Sequence, residues 1–373
     1  MIYFDNAATG GFKPNSSTEA CVSVIRHLCA NPGRSGHRLS VSGAEIVLSC
    51  REKLAKLFGA NETGVIFTKN CTEALNQAIF GTLKVGGHVI TTTMEHNSVL
   101  RPLSHLQKQG LITLDIVESG KNLAKNILEK ITPSTYLVVA SGASNVTGEV
   151  FPIKEVGKLC NERGILFLVD GAQAGGHIEI DIYKDNISML AVAGHKGLYG
   201  IMGSGALIIK EGIKLNPLIF GGTGTESLNL NQPTTLPEGL ESGTLNLPAI
   251  ASLAEGVRYV SHNLKMHQSV LLGYTTSLIN ALKENAKIKV YSSPNPVGIV
   301  SFSVLGEDSS IIASLLNSEY DIAVRGGFHC APLAHKQLKT DKEGLVRVSF
   351  AVQNSTREIS FFIRAIQNIT KFL

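Results

Sequence analysis

The chain has 373 residues, of which 43% are hydrophobic and 17% charged, and a net charge of +4. That is the make-up of a folded protein with room for a large core and two domains, and it excludes intrinsic disorder. No basic run is long enough for a nucleic-acid footprint, and no apolar run approaches the ~20 residues of a membrane-spanning helix.

The N-terminus, MIYFDNAATG, lacks the basic-then-apolar order of a secretion signal. Residues 2–9 read as a short extended segment, followed by a helix over 16–29 with Pro14 as its start signal. The loop NPGRSGHRLS then carries Arg34, His37 and Arg38. Apolar spacing predicts a longer helix over 40–58, closed by Gly59.

From there short apolar strands alternate with helices. Strands are expected at 65–68, 88–93, 111–117, 135–141, 165–170, 189–194 and 206–210, with helices at 72–83, 96–108, 122–130 and 152–163. Continuous apolar strands separated by helices imply an α/β fold, a mostly parallel seven-stranded sheet covered on both faces. The strand ALIIK (206–210) follows too closely for a crossover helix and is expected to run antiparallel.

Beyond residue 247 the pattern changes. A long helix over 248–284 leads to strands at 288–292, 298–304, 322–326 and 345–351 and helices at 309–318 and 356–371. The expectation is a large domain over 1–250 and a smaller C-terminal α+β domain over 251–373. The N-terminal segment is free to pack on the smaller one.

Open parallel sheets bind ligands at the carboxyl ends of their strands, and several polar residues fall there. Lys196, in AVAGHKGLYG, ends a buried strand among glycines; it is either a desolvated amine nucleophile or a solvated turn residue. Cys71 and Thr72 open the helix after VIFT, where free N–H groups and a hydroxyl suit a phosphate or serve only as a cap. His96 would stack on a flat ring or cap its helix. Asp170 ends a strand buried on both faces, so its carboxylate requires a partner, for which a pyridinium N–H and a local turn compete. Gln173 is placed to reach a phenolic oxygen of such a ring, and Asn145 to donate to a ligand or shape a turn. One cofactor satisfies the set: pyridoxal 5′-phosphate needs a Schiff-base lysine, an acid at the ring nitrogen, a stacking group and a phosphate cradle.

Six cysteines, Cys21, Cys29, Cys50, Cys71, Cys160 and Cys330, include no Cys-x-x-Cys pair. This argues against zinc or a disulfide framework, so no metal is expected, and a reducing cytoplasm is the compartment it implies. Cys330 lies in RGGFHCAPLAH with Arg325, His329 and His335, an electropositive loop of the kind that favours a reactive thiolate. An inert small core residue is the competing reading.

These stretches resemble the class V aminotransferase family of fold-type I pyridoxal-phosphate enzymes, and within it the cysteine desulfurase and selenocysteine lyase branch. The resemblance runs from DNAAT (5–9) through GRSGHRLS (33–40), FTKNCTEALN (67–76), MEHNSVLRPL (94–103), SNVTGE (144–149), VDGAQ (169–173) and AGHKGLYG (193–200). It continues to ESGTLN (241–246), RGGFHCAPL (325–333) and VRVSFAVQN (346–354). It implies that Lys196 carries the cofactor, Asp170 pairs with its ring nitrogen, Gln173 binds its hydroxyl and His96 stacks on it. Thr72 and His195 would hold the phosphate, with Cys71 and Asn145 beside the cofactor. It implies a homodimer with shared active sites, in which Thr244 reaches the neighbouring subunit's phosphate and His37 lies near its substrate. Arg347 would grip the substrate carboxylate, with Ala7 and Asn145 lining the substrate site. Cys330 would accept sulfur from L-cysteine and pass it to an acceptor protein.

The chain departs from the family pattern at Ala193, where a hydroxyl residue usually binds phosphate, and at Cys71, which replaces the first of a Thr–Thr pair. Lys69 and Asn70 stand for Arg–Gly, Ile201 for proline, and Gly10 for a second threonine. Loss of one phosphate hydroxyl costs about 1 kcal/mol of cofactor affinity. The expected activity is a cysteine desulfurase. The alternatives are a selenocysteine lyase, another class V aminotransferase or lyase, and a degenerate relative that binds without turnover.

Overall fold

A computed structural model describes residues 1–28, 30–33 and 35–372; Cys29, Arg34 and Leu373 lie outside the described residues. The elements in chain order are β1 (Ile2–Tyr3), α1 (Asn15–His27), α2 (Arg38–Phe58), β2 (Val65–Thr68), α3 (Cys71–Gly81), β3 (Gly87–Thr92), α4 (Asn97–Lys108), β4 (Ile112–Val117), α5 (Leu123–Leu128), β5 (Thr135–Ser141) and α6 (Ile153–Asn161). They continue with β6 (Leu166–Asp170), β7 (Met189–Ala193), β8 (Gly205–Ile209), α7 (Leu247–Lys283), β9 (Ile288–Val290), β10 (Ile299–Val304), α8 (Ser309–Tyr320), β11 (Ile322–Ala323), α9 (Pro332–Leu338), β12 (Val346–Ser349) and α10 (Thr356–Phe372).

The seven-stranded sheet has the order β2-β8-β7-β6-β5-β3-β4. Its β4, β3, β5, β6 and β7 pair in parallel, and β8 is antiparallel to both neighbours, as its short connection requires. Period-two alternation sends side chains into separate apolar layers. On β7, Leu190 and Val192 enter one layer, while Met189, Ala191 and Ala193 enter the other with α3 and α4. The strands β7 and β8 are buried and apolar throughout, which made that part of the sheet readable, whereas the equally buried β3 carries His88, Thr91 and Thr92.

A third apolar cluster joins the second half of α7, β9, β10, β12, α8 and α10. Phe4 belongs to it, edge-on to Phe350 and Phe362. Here expectation and structure differ in detail. Only Ile2–Tyr3 of the extended segment is a strand, and it pairs in parallel with β11. The stretch 322–326 therefore leaves the small sheet, whose order is β12-β10-β9. Past Ala323 it touches that sheet through one isolated bridge, in which Arg325 and Arg347 exchange backbone hydrogen bonds. The first helix ends at His27, short of 29, with Leu28 as C-cap. The helix α9 was not expected; Pro332 at its start and a left-handed Lys339 at its end mark a single seven-residue turn unit.

Two close approaches fix the turn that bears Lys196. Gly256 lets α7 lie directly on that turn, since a Cβ there would stand 2.2 Å from the Leu198 carbonyl oxygen. Gly176, at φ +84°, passes beneath the Gly197 carbonyl with the same clearance.

Candidate active site

The carboxyl ends of β2, β3, β5, β6 and β7 converge on an open cavity. Its wall holds Cys71, Thr72, His96, Asn145, Asp170, Gln173, His195 and Lys196, eight of the residues singled out from the sequence.

Lys196 follows β7, and no described residue hydrogen-bonds its Nζ. Burial pulls its pKa below that of a free lysine, opposed by Cys71 and Asp170. Asp170, 4% exposed, ends β6. Its Oδ1 accepts the Ala172 N–H at 2.9 Å and the Cys71 thiol at 3.5 Å. Its Oδ2 has no hydrogen bond among the described residues. Gln173 donates Nε2 to the Ala7 carbonyl at 2.9 Å, and the Ala7 N–H donates to Ser349 Oγ.

His96 caps α4, its Nδ1 accepting the Ser98 N–H at 3.1 Å. Its ring also lines the cavity, so capping and facing a ligand are both served. Burial lowers its pKa despite the opposing charge of Asp170. Beneath it Glu95 is fully buried and accepts from Thr92 Oγ1 (2.6 Å), Ser141 N (2.9 Å) and Ser141 Oγ (2.8 Å). Burial outweighs these donors and pushes its carboxyl up to about 7.

At the opposite rim Asn70 caps α3 by accepting the Glu73 N–H at 2.9 Å. Thr72 Oγ1 and Ser98 Oγ stand 2.7 Å apart across the first turns of α3 and α4. His195 pairs through Nδ1 with Thr9 Oγ1 at 3.0 Å, and burial beside Lys196 and Lys13 takes its pKa down to about 4. Lys13 donates to the His195 carbonyl at 2.8 Å, and burial brings its own pKa to about 8.

Cys330 and Arg347 stand beside this cavity rather than in its wall, and Asn145 joins the cavity to Arg347 and to His329, the neighbour of Cys330. The Asn145 Nδ2 donates to the His329 carbonyl at 2.7 Å, and its own carbonyl accepts Arg347 Nη1 at 3.0 Å. Arg347, 1% exposed, also pairs through Nη2 with Asp5 Oδ1 at 2.8 Å, and its Nε is buried with no partner. Cys330 is exposed at φ +55°, next to His329 at φ +51°. Its carbonyl accepts the Asn97 N–H at 2.8 Å, and its Sγ lies 3.8 Å from Arg325 Nη2. His37 is exposed and caps α2 through Ser40 N at 3.3 Å, and Thr244 is exposed on the 241–246 segment. Neither enters this cavity. Arg34 lies outside the described residues.

Sequence reasoning missed Ser98, Lys13 and Asp5. Ser98 was open to the argument applied to Thr72, a hydroxyl on the first turn of a helix that follows a strand. Lys13 and Asp5 gave no local signal, because their partners lie far along the chain. Among the described residues no group of acidic, histidine or cysteine side chains is placed to hold a metal, and no helix is long and apolar enough to cross a membrane.

The sheet order, and the strand-end cavity whose wall holds a half-buried lysine and a buried carboxylate, define an α/β scaffold with a ligand-sized site at the strand ends. The chain belongs to the class V aminotransferase family, whose pattern it matches over residues 2–362. A probable cysteine desulfurase of Pyrococcus abyssi is 34% identical over 390 residues, covering 100% of this chain and 95% of the relative. One from Methanothermobacter thermautotrophicus is 30% identical, covering 99% and 94%. The apo structure of a cysteine desulfurase from Thermococcus onnurineus NA1 superposes with a TM-score of 0.91 at 32% identity, covering 100% of this chain and 95% of that one.

Proposed function

We propose that the protein is a pyridoxal-phosphate-dependent cysteine desulfurase that converts L-cysteine to L-alanine and leaves a persulfide on Cys330. The observation that carries this reading is that an unbonded, desolvated Lys196 amine and Asp170, its Oδ2 free of hydrogen bonds, share one cavity wall, with the exposed Cys330 beside it. The donor set fits the cofactor. Asp170 would hold the ring nitrogen, Gln173 the ring hydroxyl and His96 the ring face. Thr72, Ser98, His195 and the N–H groups opening α3 would meet the phosphate. Bound there, the cofactor supplies an electron sink for the bond broken at the substrate Cα.

The lowered pKa of Lys196 leaves a larger fraction of neutral amine to take and return the Cα proton. Arg347 would take the substrate carboxylate with the donors that Asp5 and Asn145 leave free, its partnerless Nε among them. Asn145 and Ala7 would line the substrate site. Cys330 would attack the substrate sulfur: an S–S bond forms, the C–S bond breaks, alanine carries off the electron pair with a proton, and Cys330 keeps the sulfur. Arg325 stands next to that thiol.

The same reading includes a homodimer, a sulfur-acceptor protein and a reducing cytoplasm. Support for the dimer lies in the exposed Phe220, Leu228 and Leu230 on the segment leading to Thr244, and in His37 and Thr244 standing outside their own chain's cavity. The five described cysteines are all free thiols, in keeping with a reducing compartment. The division into 1–250 and 251–373 draws on the third apolar cluster, built from the C-terminal part of the chain with Phe4, although the first cluster also takes in Leu253, Val257, Ile299, Ala331 and Leu345.

The test is alanine release from L-cysteine with a reductant, comparing cofactor-loaded wild type with Cys330→Ala. Alanine from the wild type and almost none from the variant is expected. Equal release would remove Cys330 from the chemistry, and no release from either loaded protein would overturn the desulfurase reading in favour of another amino acid.

A further inference from the structure

Cys71 is a departure of this chain, and the structure gives it a partner. It is the first residue of α3, buried, and part of the cavity wall. The Asn70 cap fixes the start of that helix, so the position of the Cys71 side chain is set by the backbone. Its Sγ meets Asp170 Oδ1 at 3.5 Å, the same oxygen that takes the Ala172 N–H. Two donors from two directions hold one oxygen and define the plane of the carboxylate. The other oxygen, Oδ2, has no hydrogen bond among the described residues, and Asp170, 4% exposed, lines the cavity. An acceptor left open there is available to a donor from a ligand in the cavity.

We propose that Cys71 is a positioning residue: its S–H donates to Asp170 Oδ1 and so presents Oδ2 to the ring nitrogen of the cofactor. The proposal rests on the pyridoxal-phosphate reading above. The thiol is suited to donate, because burial and then the charge of Asp170 push its pKa well up, with Lys196 opposing. It therefore stays protonated, an S–H rather than a second nucleophile beside Lys196. The plainer account makes Cys71 only a small apolar residue packed with Ala74 and Leu75 in the layer under α3. The two accounts part on whether the donor or the bulk matters.

The experiment uses Cys71→Ala, Cys71→Val and Cys71→Ser, which remove the donor with less bulk, remove it with more, and retain it. Apoprotein of each is titrated with pyridoxal 5′-phosphate by absorbance, and the spectrum of the bound cofactor is followed across pH. The expected result is affinity about three- to tenfold weaker in the Ala and Val variants, the range of one modest hydrogen bond. Both should show a displaced pH midpoint of the cofactor spectrum, with the Ser variant returning towards wild type in both readings. Ala and Val variants that match wild type would overturn the proposal, as would a Ser variant as impaired as they are. Wild type that takes up no cofactor would overturn the pyridoxal-phosphate reading and this proposal with it, and is told apart by that fact alone.

Discussion

Glu95 makes the stability of this protein fall as pH rises through neutrality, and Glu95→Gln should abolish that slope. Its carboxyl is fully buried and titrates near 7, against 4.5 when free. Between those values the folded chain holds a proton that the unfolded chain has released. The contribution is therefore fully present below 4.5 and lost as pH rises through about 7. At 1.36 kcal/mol per pH unit the gap is on the order of 3 kcal/mol. Glutamine is neutral throughout and fits the same partners: its carbonyl would accept from Thr92 Oγ1 and Ser141 N, and its amide would donate to Ser141 Oγ, now acting as acceptor. Melting temperatures of the two proteins should therefore diverge with rising pH. The variant should gain about 4 °C between pH 5 and pH 8 for a chain of this size. Other titrating groups cancel in the difference. A difference that stays flat, or that grows towards acid pH, would refute the argument that burial outweighs the three donors.

The buried pair Arg51–Glu241 joins α2 to the segment bearing Thr244, with Nη1 and Oε1 at 2.9 Å and Phe67 under the guanidinium. Arg51→Ala should cost about 3 kcal/mol in urea denaturation by stranding Glu241, while Arg51→Met with Glu241→Met should recover most of it. Gly256→Ala drives a methyl into the Leu198 carbonyl; a loss of about 2 kcal/mol is expected, together with weaker uptake of pyridoxal phosphate as the Lys196 turn moves. Burial lowers His177 to about 4, so the folded state keeps it neutral and stability drains away as pH falls from 6.5 through 4. His177→Gln should flatten that acid limb of the melting curve.

Much of the large sheet was legible because central strands such as β7 and β8 are sealed on both faces, and an apolar run such as MLAVA has few other uses. The cavity was legible for a related reason: polar residues that end such runs, Asp170 and Lys196 among them, have nowhere to go but the strand-end crevice. Pairings across long stretches of chain were not. Nothing near Ile2 announces Ile322, and nothing near Arg347 announces Asp5, since each contact joins opposite ends of the sequence. The left-handed backbone of His329 and Cys330 was equally hidden, because histidine adopts it in only a minority of cases and nothing in the local sequence demands it of a cysteine. Thr244 and His37 stood out by resemblance, yet neither lines the cavity of its own chain, and His37 caps α2 instead.

The 37 residues of α7 form a rod about 55 Å long, with residues from Leu247 to Val257 set in the first apolar layer and residues from Leu271 to Leu282 in the third cluster. A beam clamped at both ends transmits load and leaves no slack. The part of the chain that carries Cys330 is thus tethered to the part that carries Lys196 by a strut instead of a leash. Severing the chain anywhere along that strut would strip one half of its interior lining, so two separately produced fragments should be insoluble alone and recover order only when folded together.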